Sequence, residues 1–335
     1  MDAGIAIPWP GWRVEKLIGR GGFGSVYEIS RDIFGSPERS ALKVMSIPAN
    51  DTEIANLMAE GYDQAALARH FRVCLEEIAG EYAMMVKMKG HPNVVYCDDF
   101  HTEPHADGIG WDIYIRMELL RPLLKVLPPQ YNEAMTVRLG RDICRALLNC
   151  ERQNVLHRDI KPENVFLTET GSFKLGDFGV AKVIDKIAFG TRIGTYDYMA
   201  PEVYQNKPYG FSCDRYSLAM MLYWTMNEYR VPFLERTDRV PTAAEKEEAR
   251  RRRVSGEPVP EPLYGSPALR RVVMRALSFQ PEDRFLSAET MLNALEAIPL
   301  TPMEANAAFR ETPAPSPRIS PELTGMFRKP SLEDL

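Results

Sequence analysis

His157-Arg158-Asp159-Ile160-Lys161-Pro162-Glu163-Asn164 crowds carboxylates, cations and a carboxamide into one short run. A solvated loop would be polar as well. Here, however, Val155-Leu156 in front and Val165-Phe166-Leu167 behind are apolar runs of strand type, and they pin the polar segment on a core. Polar groups held against a core need partners or a chemical task. A little further on, Asp177-Phe178-Gly179 closes another predicted strand. The two segments together supply a proton acceptor, a compensating cation and two oxygen donors for a hard metal ion. Moving a phosphoryl group onto a hydroxyl requires that set.

Upstream, Ile18-Gly19-Arg20-Gly21-Gly22-Phe23-Gly24-Ser25-Val26 is a glycine-rich turn after a predicted strand at Trp12 to Ile18. Glycines let backbone N–H groups approach phosphates with no Cβ in the way. A dinucleotide-binding turn has the same spacing, but it opens directly into a helix. Ser25-Val26-Tyr27-Glu28-Ile29 instead continues as a second strand, so a hairpin over phosphates is expected. Ala41-Leu42-Lys43-Val44-Met45 then places one lysine in an apolar strand. Of the acids on the following predicted helix, Glu81 falls between Ile78 and Met85 on the apolar face, with Glu77 the alternative. An acid facing inward needs a partner.

These motifs, in this order, resemble the protein kinase family, and so do three later ones. Gly194-Thr195-Tyr196-Asp197-Tyr198-Met199-Ala200-Pro201-Glu202 is similar to the end of an activation segment. Asp214-Arg215-Tyr216-Ser217-Leu218 and Pro281-Glu282-Asp283-Arg284-Phe285 resemble the buried aspartate of the central helix and the late arginine that pairs with the Ala-Pro-Glu acid, here Glu202. The resemblance implies an α+β, bilobal kinase fold, with a small antiparallel β-sheet lobe carrying the helix called αC and a larger, mainly helical lobe. It implies Asp159 as the catalytic base and Lys161 as the residue neutralising the transferring phosphoryl group, with Asn164 and Asp177 as metal ligands. ATP is the implied nucleotide and Mg²⁺ the implied ion, with Mn²⁺ as a substitute. The glycine-rich turn from Ile18 to Val26 and the Lys43–Glu81 pair would hold the phosphates. Met117 would sit behind the adenine, backbone groups of Glu118 and Leu120 would bond its edge, and Val26, Ala41 and Phe166 would sandwich the ring. Phe166 departs from the aliphatic residue usual at that position.

Lys161-Pro162-Glu163 together with Thr195 resembles the serine/threonine branch, so protein serine and threonine hydroxyls are the expected acceptors. Those of the chain itself are included, through a homodimer for trans-autophosphorylation. The lean C-terminal half is similar to the bacterial, eukaryotic-like members. Two other functions are weighed against this one. A pseudokinase scaffold is disfavoured because Lys43, Asp159, Lys161, Asn164 and Asp177 are all present, and a small-molecule kinase because Gly194 to Glu202 resembles a peptide platform.

The 335 residues, 45% hydrophobic, allow about two core-bearing units. A formal net charge of −5 gives no basic footprint for nucleic acid. The run Arg250 to Arg253 follows Glu245, Glu247 and Glu248 and reads as a solvated, salt-bridged helix face. Five scattered cysteines without a C-x-x-C pair suit a reducing, cytoplasmic setting and make zinc or disulfides unexpected. No basic leader precedes Trp9, and no membrane segment of about 20 apolar residues is present.

The sequence divides into an extension at 1–11, a kinase domain at 12–298 (small lobe 12–117, hinge 118–122, large lobe 123–298) and a proline- and serine-rich tail at 299–335 expected to be disordered. Between Lys43 and Glu81 the chain is longer than a compact family member. Asp51 to His70 reads there as an inserted helical element, with Ile54, Leu57 and Met58 as its apolar stripe and Asp63 as the cap of a second helix. In the activation segment, Thr191 is the expected phosphorylation site, read by Arg158 and Lys182, and Thr195 is expected to touch the catalytic loop.

Overall fold

Alternation of apolar and polar residues organises the first lobe. In the computed structural model, which describes residues 5–21, 24–178, 195–237 and 239–300 apart from the side chains of Glu81 and Thr195, five strands form one antiparallel sheet. They are β1 (Arg13–Gly21), β2 (Gly24–Ile33), β3 (Ser36–Ile47), β4 (Cys97–Pro104) and β5 (Trp111–Met117), in the order β1-β2-β3-β5-β4. Period-two geometry sends Leu42 and Tyr114 to the outer face, where they join Trp12, Tyr27 and Ile29. Met45, Ile47, Ile113 and Ile115 go to the inner face and the main core. Ala41, Lys43 and Met117 share that inner face, and the register pairs Ala41 with Met117 and Val26 with Lys43. One strand parity thus delivers the lysine and the candidate adenine contacts to the same side.

Ile5, Ile7 and Trp9, which the sequence reading set aside as an extension, pack on the outer cluster. Trp12 lies between the guanidinium groups of Arg31 and Arg116, each 4.8 Å from the ring. Such cation–π contacts keep both arginines close to an otherwise apolar face.

Two helices follow β3. Asn50 caps α1 (Asp51–Ala59), and the Asp63 carboxylate accepts from Ala66 N at 2.7 Å to cap α2 (Gln64–Lys87), as the sequence led us to expect. The buried residues of α2 and its exit are Leu67, Phe71, Cys74, Ile78, Met85 and Met88, at steps of four, three, four, seven and three. Glu77 is exposed. Of the predicted α1 stripe, Leu57 is buried and Ile54 packs on the core, but Met58 is 52% exposed and belongs to the outer face. Leu57→Ala should therefore cost about 2–5 kcal/mol in urea unfolding. Met58→Ala should stay within about 0.5 kcal/mol of the parent. Equal losses would contradict this division.

The larger lobe is mainly helical. Its elements are α3 (Glu133–Arg152), α4 (Pro201–Tyr204), α5 (Ser212–Met226), α6 (Ala243–Val254), α7 (Pro267–Ala276) and α8 (Ala288–Glu296). A small sheet of β6 (Arg121–Pro122), β7 (Val165–Leu167) and β8 (Phe173–Leu175) lies beside them. Helix α5 is buried on every side, as its mainly apolar run from Tyr216 to Met226 requires, and its buried Asp214 and Arg215 are hydrogen-bonded. Gly140 lets α3 close on its neighbours, because a Cβ there would sit 3.1 Å from both Leu222 Cδ1 and Leu295 Cδ1. All five cysteines are buried and free. Burial pushes the thiols of Cys74, Cys97 and Cys150 up to about 12. Among the described residues, no helix is long and apolar enough to cross a membrane.

Candidate active site

Arg158 has a left-handed backbone, φ 67°. For a residue with a Cβ that conformation costs about 1–3 kcal/mol and persists only where neighbours impose it. Asp214, buried in the first turn of α5, imposes it by accepting from His157 N and Arg158 N, each at 2.8 Å. His157 is buried too, and burial holds its imidazole below the ordinary value, so it is neutral. Its Nε2 lies 3.0 Å from Gly176 O and its Nδ1 accepts from Asp159 N at 3.3 Å, which assigns the proton to Nε2. The ring packs edge-on against Phe178 at 4.5 Å. The two polar motifs are thereby locked to each other through one histidine.

Asp159 has two unlike oxygens. Oδ2 accepts from Asn164 Nδ2 at 2.9 Å and faces Lys161 Nζ, also at 2.9 Å. Oδ1 is buried and receives no donor among the described residues. An unpaired buried acceptor is expensive, about 1–3 kcal/mol, a cost that a hydrogen-bond donor brought to it would relieve. Burial would lower the Lys161 ammonium, but Asp159 more than compensates and holds it above the ordinary lysine range. Asn164 Nδ2 also bonds Asp159 O at 2.7 Å, which leaves the carboxamide oxygen for a cation.

Asp177 likewise has positive φ, 54°, and its Oδ1 accepts from Lys43 Nζ at 2.7 Å. Burial pushes its carboxyl up, but Lys43 and then Lys161 outweigh this and hold it below the usual range. The sequence reading paired Lys43 with Glu81; the described partner of Lys43 is Asp177, and the Glu81 side chain lies outside the described residues. Asn164 and Asp177 thus present hard oxygens beside two cations, a donor set that suits Mg²⁺ or Mn²⁺.

Above these residues, Gly24 has φ +125°, and a Cβ there would stand 2.1 Å from Val44 O. Only glycine lets the start of β2 lie this close to β3. Gly22 and Phe23 of the turn lie outside the described residues. Ile18 to Gly21 finish β1, and Ser25 and Val26 open β2. At the hinge, the Glu118 carboxylate accepts twice from Lys174 Nζ at 2.8 Å and from Tyr96 N at 3.0 Å. The sequence reading missed this link between the hinge and β8, since nothing in local spacing joins residues so far apart. Phe166 is half-buried on β7, and Gly176 makes room for its ring, since a Cβ there would be 3.0 Å from Phe166 Cε2.

Beside Asp159 lies a small, water-sized cleft whose lining includes Ile160, Tyr198, Met199, Val203, Tyr209 and Asp214. Its outer wall is anchored by a buried, bidentate Glu202–Arg284 pair at 2.7 and 2.8 Å, the pairing expected from the sequence. The arginine run departs from expectation. Arg251 and Arg252 make exposed pairs with Glu248 and Glu257. Arg250 turns inward to Asp197, and Arg253, only 3% exposed, reaches the carbonyls of Tyr196 and Met199. Helical periodicity is what defeats the solvated-face reading: consecutive residues are about 100° apart, so a run of four cannot all face water.

The model of the protein kinase domain matches residues 12–295. The chain belongs to the protein kinase family. The kinase is 28% identical to serine/threonine-protein kinase Pkn1 of Myxococcus xanthus over 307 residues, which cover 88% of this chain and 39% of that protein. It is 28% identical to pkn3 of the same organism over 330 residues, covering 92% and 54%. With PknA of Mycobacterium tuberculosis it shares 28% over 320 residues, covering 91% and 66%. The kinase thus spans about half the length of these Myxococcus relatives or less. Its two-lobed α+β architecture is the one the motifs implied. Thr191, Lys182, Gly179 and Gly194, the Thr195 side chain, and the 301–335 part of the proline-rich tail lie outside the described residues.

Proposed function

We propose that the kinase transfers the terminal phosphoryl group of ATP to serine and threonine hydroxyls of proteins, its own included. The observation that carries this is the orphaned Asp159 Oδ1, on a residue that lines a cleft together with Tyr198 and Met199. A substrate hydroxyl reaching the cleft donates to Oδ1. As its oxygen bonds phosphorus and the bond to the leaving diphosphate breaks, its proton passes to Asp159. Lys161, kept charged by Asp159, balances the phosphoryl oxygens, and Lys43 together with the glycine-rich turn from Ile18 to Val26 holds the other phosphates. Asn164 and Asp177 are the proposed ligands of a divalent ion, Mg²⁺ by donor type, which when bound neutralises phosphate charge. Val26, Ala41, Met117 and Phe166, with the hinge backbone at Glu118 and Leu120, are the proposed adenine contacts, and the shared face of Ala41 and Met117 supports this. We place the kinase domain at 12–298, and the five free thiols support a reducing, cytoplasmic setting.

Lys43→Met and Asp177→Ala test the assignment, because each removes a charge at the phosphates and neither empties core volume. Each should cut transfer to a protein acceptor by well over about tenfold with the fold intact by circular dichroism. Activity within that margin of the parent in either variant would remove Lys43 or Asp177 from the machinery.

A further inference from the structure

The wall of the cleft is short irregular chain. Thr195–Asp197 forms a single 3-10 turn, and the helical structure of α4 resumes only at Pro201. Within the segment, Met199 N donates to Tyr196 O at 3.3 Å. Two arginines of α6 also grip this stretch. Arg253 Nη1 donates to Met199 O at 2.5 Å and to Tyr216 Oη at 3.2 Å, while Nη2 donates to Tyr196 O at 2.8 Å. Arg250 places Nη2 2.8 Å and Nε 3.3 Å from Asp197 Oδ1, with its guanidinium 5.2 Å from the centre of the Tyr196 ring.

We propose that Arg253 and Arg250 are positioning residues that set the protein-acceptor cleft by fixing Tyr196 to Met199 from behind, a role that rests on the kinase reading above. Burying a guanidinium against carbonyls and a phenol rather than a carboxylate is costly unless every donor is directed. The planar fork reaches the two carbonyls with two different nitrogens, Nη1 and Nη2, where a lysine would bring a single nitrogen. The carbonyls that Arg253 holds belong to Tyr196 and Met199, and Met199 lines the cleft beside Asp159 together with Tyr198. Arg250 acts on the same segment through Asp197, whose charge bears on both Glu163 and Tyr198. Neither arginine lines the cleft. They shape the surface that a protein acceptor must match and leave the nucleotide side alone.

The test uses Arg253→Met, which keeps the apolar stem and deletes the donors, and Arg250→Gln, which is closer to the surface and preserves the fold if the first variant does not. Peptide and ATP are varied separately, hydrolysis of ATP to water is followed in the same preparations, and hydrogen exchange is read over residues 195–203. Arg253→Met should lower kcat/KM for the peptide about tenfold or more, mostly through KM, with KM for ATP and the hydrolysis rate within about twofold. Arg250→Gln should move the same constants in the same direction by a smaller factor. Exchange over 195–203 should rise in both variants. Unchanged peptide kinetics in a folded Arg253→Met variant, or a parallel fall in peptide transfer, ATP affinity and hydrolysis, would overturn the proposal. If the parent protein phosphorylated no peptide, the kinase reading would fall first. Exchange would still decide whether the arginines hold the segment, and unaltered exchange would refute the clamp by itself.

Discussion

Asp159→Asn lowers phosphoryl transfer by about a thousandfold or more, within the range that general acid–base catalysis supplies. The substitution is nearly isosteric, so Asn164 and His157 keep an acceptor and a neighbour of the same shape. What disappears is the capacity of the orphaned Oδ1 position to take a proton. A second loss follows at Lys161. Burial alone depresses that ammonium, and Asp159 is the first compensating charge, so in the variant its pKa moves down. The base and the charge of the neighbouring lysine therefore weaken together. Single-turnover transfer with saturating ATP measures the effect, and a rate within about tenfold of the parent, only about 1.4 kcal/mol of barrier, would be incompatible with a base at this position.

Asp214→Ala should damage both stability and rate. Asp214 borders the same cleft as Asp159, and its two carboxylate oxygens satisfy His157 N and Arg158 N and hold Arg158 at positive φ. Removing it strands two N–H groups, one of them on fully buried His157, at a cost of about 3 kcal/mol. The loop then relaxes toward ordinary backbone angles and carries Asp159 with it, and a displacement of about 1 Å is worth roughly a hundredfold in rate. Urea unfolding and kcat/KM on one preparation measure both. A destabilised protein with an unaltered rate would show that Asp214 braces the lobe without positioning the loop.

The chemistry of the site was legible in the sequence because its members are close along the chain. His157, Asp159, Lys161 and Asn164 form one loop, and their apolar flanks declare the strands that hold it. The helix cap at Asp63 and the inward lysine at 43 were legible for the same local reason. Contacts between distant segments were not. Arg253 meets Tyr196 and Met199, Glu118 meets Lys174, and Trp12 meets Arg31 and Arg116, yet no periodicity ties these residues together. In the arginine run, the sequence suggested i,i+4 pairs, whereas Arg251 pairs at i,i+3 with Glu248 and the inward turn of Arg253 depends on carbonyls that only the folded chain brings near. Leu57 and Met58 illustrate a subtler limit: both are apolar and adjacent, and one helical step decides which is buried.

The most direct test of the whole account is the fate of the terminal phosphate of labelled ATP when the parent protein is given Mg²⁺ and a serine- and threonine-bearing peptide library. The account predicts phosphoserine and phosphothreonine on the peptides, lost with Asp159→Asn. Nucleotide bound without transfer, or label appearing only on water or a small molecule, would contradict it.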